Sequence, residues 1–210
     1  MKRLMIVSLA VLCVAALLPQ SLSAGFGIKG GYALSNFTLT SAGPIPFAFQ
    51  NLRSPVGGIF FSLGFGPLAI QPEVLYVRMG GRDVIDGSGL EFWFDYIQVP
   101  VLLKLNIIPL GPISPFICAG GYGSYLFRAR GVTLVDGVVV GDPADLGDNY
   151  EKYDYGVIGG GGLKFKLPGI SISIEGRYNY GLRNIWIPVS PEDDLSWKNR
   201  SMMALVSIGF

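Results

Sequence analysis

Histidine is missing from this sequence altogether. Its absence removes the usual general base of hydrolytic sites and the commonest metal ligand. A serine nucleophile would need another base, and no spacing of residues suggests one. Cysteine is nearly as scarce, with only Cys13 and Cys118 present. Cys13 lies in an apolar run behind Leu12, where a lipidated cysteine wants a small residue, so lipidation is not expected. Cys13 also falls in the N-terminal stretch read below as a cleaved signal peptide, whose removal leaves Cys118 alone and excludes an intramolecular disulfide and a zinc set. Charge is sparse and balanced: 15% of residues are charged, with 16 Lys plus Arg against 15 Asp plus Glu. No basic excess points to nucleic acid and no acidic excess to a solvated tail. Helical periodicity is almost absent after residue 25, and no later stretch is long enough for a membrane helix. No catalytic residue, metal site or cofactor is therefore expected, and the chain does not read as an enzyme.

What is present is apolar, glycine-rich and aromatic. Hydrophobic residues make up 50% of the chain, aromatics 12%, and 30 residues are glycine without a collagen period. That composition is too apolar for an average soluble domain and suits closely packed strands that face lipid. Residues 1–24 stand apart. Lys2 and Arg3 precede an apolar run that ends near Leu18, and Ser21, Ser23 and Ala24 follow. The run is short for a bilayer span, so 1–24 is read as a secretory signal peptide cleaved after Ala24. Residues 25–210 then form one domain.

Two-residue alternation runs through that domain. In 170–181, Ile170, Ile172, Ile174, Gly176, Tyr178 and Tyr180 share one parity, and Ser171, Ser173, Glu175, Arg177 and Asn179 share the other. One apolar face and one polar face make a strand. Similar segments place eight strands near 26–35, 55–66, 68–79, 94–107, 116–130, 152–167, 170–181 and 199–210. Each is long enough to cross a membrane core, which takes a tilted strand of roughly 9–11 residues. The connections alternate between short turns (Gly66-Pro67, 108–115, Pro168-Gly169) and long polar loops (36–54, 80–93, 131–151, 182–198). The expected fold is all-β: an eight-stranded antiparallel transmembrane β-barrel, with short periplasmic turns and long extracellular loops. A soluble barrel of the lipocalin type is the alternative, and would carry its apolar residues inside.

Aromatic residues sort to the strand ends. Tyr76, Tyr125, Phe127, Tyr153, Tyr155, Tyr178 and Tyr180 lie toward the long loops, and Phe26, Phe65, Phe165 and Phe210 toward the short turns. Two such girdles are expected where a barrel meets the two membrane interfaces. The last strand ends the chain, with Met202, Ala204, Val206, Ile208 and Phe210 on one face, and Phe210 is read as a membrane-assembly signal. The opposite parity holds the strongest chemistry: Lys29, Gln71, Glu73, Gln98, Lys104, Lys164, Lys166, Glu175, Arg177 and Asn179. Eight strands enclose a space that side chains roughly fill, and buried charges need partners. Lys29, Glu73, Lys104, Lys164, Glu175 and Arg177 are therefore expected to form an ion-pair network in the lumen, with Glu73 near Lys104 and Glu175 near Lys164 or Arg177. The glycines of 159–162 lie in mid-strand with no following helix, so they read as packing glycines and not as a phosphate loop. In 131–151 the acidic residues do not match a calcium hand loop. Val138, Val139 and Val140 beside Asp136-Gly137 suggest that a hairpin continues above the membrane there.

The segments 27–37 (GIKGGYALSNF), 71–81 (QPEVLYVRMGG), 96–104 (YIQVPVLLK), 116–126 (FICAGGYGSYL), 154–162 (DYGVIGGGG), 175–185 (EGRYNYGLRNI) and 198–201 (KNRS) resemble, in order, the porin-family outer-membrane β-barrel domain of the PorT type. The resemblance spans essentially the whole of 25–210. It implies a barrel in the bacterial outer membrane and implies no particular activity. The expected function is a structural or surface-interaction role with the lumen plugged by side chains. The alternative is a narrow pore, or a transporter or secretion-associated barrel. The expected partners are outer-membrane lipid, the barrel assembly machinery during insertion, and an unidentified protein at the extracellular loops.

Overall fold

A computed structural model describes residues 22–40, 50–85, 88–107, 112–188 and 195–210. Among the described residues there are nine strands: β1 (Leu22–Thr40), β2 (Gln50–Phe65), β3 (Leu68–Ile85), β4 (Ser88–Asn106), β5 (Ile113–Val135), β6 (Val138–Asp145), β7 (Tyr153–Leu167), β8 (Ile170–Gly181) and β9 (Ser196–Gly209). All of them pair antiparallel. The ring runs β1-β2-β3-β4-β5-β7-β8-β9 and closes where β9 returns to β1, so eight strands make the barrel. Closure is continuous at the seam: fourteen successive residue pairs run from Gly27↔Gly209 to Thr40↔Ser196. A closed ring leaves no unpaired strand edge in its wall, which is what hydrocarbon surroundings demand of a sheet.

The period-2 sequence pattern becomes the inside-outside pattern. Ile174 is 55% exposed and its neighbours Ser173 and Glu175 are buried. On β9, Met202 and Val206 face out while Met203, Leu205 and Ser207 face in. On β4, Val99, Val101 and Leu103 face out while Gln98, Leu102 and Lys104 face in. The exterior is therefore apolar and the interior carries the charge. That polarity is the reverse of a lipocalin and removes the soluble-carrier alternative. The aromatic residues also take up their two bands. Tyr125, Phe127, Tyr153, Tyr155, Tyr178 and Tyr180 are exposed at the long-loop end, and Phe26, Phe65 and Phe210 at the other. Tyr76 and Phe165 stand in the same bands, half-exposed.

The strands run further than the alternation indicated. β1 extends to Thr40, β3 to Ile85, β4 back to Ser88 and β5 to Val135. Much of the expected loops 36–54, 80–93 and 131–151 is thus ladder. The reason is physical: above the apolar band both faces of a hairpin can meet water, so alternation fades while pairing continues. The β5–β6 pair is such an extension, an arm outside the ring in which every residue of β6 is exposed. Its turn is Asp136-Gly137, both at positive φ (51° and 78°), the backbone that a two-residue hairpin of matching twist requires. Residues 1–21, most of the expected signal peptide, lie outside the described residues. Leu22, Ser23 and Ala24 are the first residues of β1, paired with Phe65, Gly64 and Leu63.

Candidate functional site

The lumen is built in layers from the inward parity of all eight barrel strands. Nearest the short-turn end is a charged layer. Arg177 on β8 donates from Nη1 and Nη2 to the two oxygens of Glu73 on β3, at 2.7 and 2.6 Å. Such a two-pronged guanidinium–carboxylate pair is among the strongest and most directional polar contacts. Arg177 Nε also meets Glu175 Oε1. Lys29 on β1 reaches both carboxylates, at 2.7 Å to Glu73 and 3.2 Å to Glu175. Lys104 on β4 donates to Glu175 Oε2 at 3.0 Å. Gln71 Nε2 donates to Glu73 Oε1, and Cys118 Sγ lies 3.6 Å from Glu175 Oε1. Three cations and two carboxylates from four strands thus meet in mid-lumen, nearly sealed from solvent. Burying one of these ions alone would cost several kcal/mol. Lys29, Glu73, Glu175 and Arg177 each have more than one ionic partner, and Lys104 has Glu175 and the face of the Phe116 ring.

Local sequence explains how β8 carries two of these residues so close to the wall. Gly162 on β7 pairs with Glu175. A Cβ at Gly162 would collide with the carbonyl oxygen of Ile174. Gly160 and Gly161 are crowded in the same way by neighbouring carbonyls, while Gly159 faces open space, so 160–162 is a packing feature of the barrel wall.

Two of the expected contacts do not form. Lys104 pairs with Glu175 and not with Glu73, because the β3–β4 register sets Lys104 opposite Ala69, four residues along β3 from Glu73. Lys164 stands outside the network and makes no ion pair among the described residues. It pairs with Ser173, one inward position closer to the short-turn end than Glu175, and Lys104 already occupies the facing oxygen of Glu175. Lys164 instead lines a pocket of about 50 Å³ below the network, together with Phe60, Gln71, Lys104, Ser173 and Ser207. Lys166 is exposed at the barrel rim.

Above the ion pairs is a layer of amides and hydroxyls around the single carboxyl group of Asp154. Asn179 Nδ2 donates to Gln98 Oε1 at 3.2 Å, and Gln98 Nε2 to Ser124 Oγ at 3.3 Å. Asn199 Nδ2 donates to Asp154 Oδ2 at 3.0 Å and to the Tyr96 hydroxyl at 3.2 Å. Higher still, at the long-loop mouth, aromatic rings fill the bore. Phe37 meets Trp197 with ring centres 4.9 Å apart, Phe94 meets Tyr150 at 4.6 Å, and Trp186 stacks on Trp197 at 6.0 Å. Tyr150 and Trp186 come from two different loops. They are tied across the mouth by a β-bridge and by a bond from Glu151 N–H to the Ile185 carbonyl at 2.8 Å. Tyr150 and Ile185 are buried there. Sequence reading assigned both residues to solvated loops and missed this lid. The signal available was Trp and Ile inside a segment otherwise rich in Pro, Asp and Ser.

Phe210 takes its expected exposed place. Its N–H donates to the Phe26 carbonyl at 2.8 Å and its ring lies 5.7 Å from that of Phe26, so the chain terminus fastens the seam. Among the described residues no group of three His, Cys, Asp or Glu side chains is arranged to hold a metal ion.

An apolar wall, a charged interior and a β9–β1 seam converge on one family. The model of the outer membrane protein beta-barrel domain matches residues 19–186. The chain belongs to that family. It is a barrel of the bacterial outer membrane, with its long-loop end facing outward and its short turns facing the periplasm. Among solved structures it is similar to Neisserial surface protein A (TM-score 0.50, 12% identity, covering 91% of this chain and 100% of that one). It is also similar to OprG from Pseudomonas aeruginosa (TM-score 0.45, 12% identity, covering 91% and 98%). A third similarity is to Ail of Yersinia pestis, solved with the heparin analogue sucrose octasulfate (TM-score 0.43, 17% identity, covering 90% and 99%). No curated protein matches this outer-membrane barrel in sequence.

Proposed function

We propose that this chain is a non-catalytic outer-membrane barrel with a structural or surface-interaction role, its lumen closed to solutes. One observation carries the reading: the five-residue charged cluster of Lys29, Glu73, Lys104, Glu175 and Arg177 spans the bore, with the Tyr150–Trp186–Trp197 lid above it. A solute would have to part ion pairs that are buried and doubly held, which is a far larger barrier than displacing water. The residues outside the wall supply the rest of the role. The β5–β6 arm projects beyond the ring and exposes Val135, Val138, Val139 and Val140, and the far edge of β6 pairs with no other strand among the described residues. An exposed strand edge of this kind suits the addition of a partner's strand. The motifs of the PorT type support assignment to that subgroup, and Phe210 supports delivery by the barrel assembly machinery.

Solute flux tests the closure. Proteoliposomes loaded with a small sugar or a monovalent salt should leak no faster than empty vesicles. Rapid, protein-dependent efflux would favour the narrow pore or transporter instead.

A further inference from the structure

The apolar exterior is grooved. Across β9, β1 and β2 lies a surface groove of about 610 Å³, bordered by Tyr32, Leu34, Arg53, Met202 and Ala204. It is deep because the outward positions beside Tyr32 are small: Ala204 on β9, Pro55 on β2, and Gly30 with its partner Gly57 one step below. Above it, sharing Leu34 and Met202 as its border, is a second pocket of about 250 Å³. That pocket mixes Leu34 and Met202 with the polar groups of Asn36, Asn51, Tyr178 and Arg200. The two cavities adjoin, and the upper one has more polar side chains around it.

The charges at the junction are unspent. Arg53 is paired in the ladder with Leu34, and Arg200 with Asn36 and Tyr180, so the two arginines flank β1 at the level of the outer aromatic band. Both are exposed, and neither makes an ion pair among the described residues. Arg78, Arg82 and Arg183 at this end are neutralised by Asp95, Glu91 and Glu151, whereas Arg128 and Arg130, on β5 across the ring, also make no ion pair among the described residues. Two strand spacings and a two-residue offset along β1 set the backbones that carry Arg53 and Arg200 roughly 12 Å apart, and one anion between them can take both forks.

We propose that this paired groove binds the phosphorylated glycolipid of the outer leaflet, lipid A: an acyl chain lies in the trough of Tyr32, Leu34, Met202 and Ala204, and a phosphate sits between Arg53 and Arg200. Charge complementarity selects the occupant. A guanidinium pair matches phosphate geometry, and the trough continues directly below it for a saturated chain. The Asn36 and Asn51 amides, already bonded to each other at 3.0 Å, border the sugar-level pocket. The site is on the outer wall, so it stands whether or not the lumen conducts.

The test uses the full barrel folded in detergent, with native mass spectrometry and heat-modified gel migration as readouts. The probes are purified lipid A, dephosphorylated lipid A and phosphatidylglycerol. Lipid A should bind as a single copy and raise the temperature at which the barrel unfolds. Arg53→Gln with Arg200→Gln should weaken it by about tenfold per arginine, the size of a lost charge-assisted hydrogen bond. Ala204→Phe, which fills the trough without touching charge, should weaken it too. Arg128→Gln with Arg130→Gln, on β5 across the ring, should leave it unchanged. Each variant's own gel shift reports whether it folds, and Arg53→Lys with Arg200→Lys, which keeps the charge, should bind between wild type and the Gln pair. The proposal is overturned if the Gln pair binds as wild type, if the β5 pair loses as much, or if phosphatidylglycerol or dephosphorylated lipid A binds as well as lipid A.

Discussion

Glu73 receives three donors in the lumen: Lys29, Gln71 and the fork of Arg177. Removing its charge leaves three buried cations facing only Glu175. Glu73→Gln should therefore destabilise the barrel by about 3–5 kcal/mol, measured by urea unfolding from lipid vesicles. Adding Lys29→Met restores the charge balance and should recover part of that loss. If the double variant proves less stable than the single one by a wide margin, the pairing geometry is wrong. This scale also shows what the sequence carried. Parity alone brought Lys29, Glu73, Lys104, Glu175 and Arg177 to the interior. It did not choose partners among them, because partner choice depends on the stagger of the strands around the ring. That stagger moved Lys104 from Glu73 to Glu175 and left Lys164 to the pocket beneath.

At the scale of the element, β8 is the clearest case of a strand written into sequence. Its apolar parity faces lipid, so Ile174→Arg should reduce the folded fraction after insertion, at a cost of about 2–4 kcal/mol near mid-membrane. Ser173→Ala, one residue away on the inner face, should fold as wild type on a heat-modifiability gel. The reverse result would turn the barrel inside out. The β5–β6 arm belongs to a different regime, since no apolar face anchors it and the turn backbone holds it. Gly137 sits at φ 78°, where a β-branched side chain is strained. Gly137→Val should expose the arm to limited proteolysis near Asp136 while the barrel keeps its gel shift. Loss of the barrel as well would mean that the arm is part of the fold's core. Hairpins above the membrane were faint in the sequence for the same reason, since nothing there obliges residues to alternate. The hairpin was visible only through Asp136-Gly137, whose signal is conformational.

The whole molecule is a lipid-facing cylinder whose bore is occupied in three successive layers: ion pairs, amides and hydroxyls, then aromatic rings. The cylinder was legible from sequence because strand length, loop alternation and the aromatic ends all repeat around it. The outer lid was not, because Tyr150 and Trp186 are brought together by two loops whose meeting no local pattern encodes. If these layers close the bore, planar-bilayer recording will show it. Wild-type barrel should show no steady conductance, with openings emerging only when Arg177→Ala is combined with Glu73→Ala. Large, stable channels from the wild-type protein would contradict it.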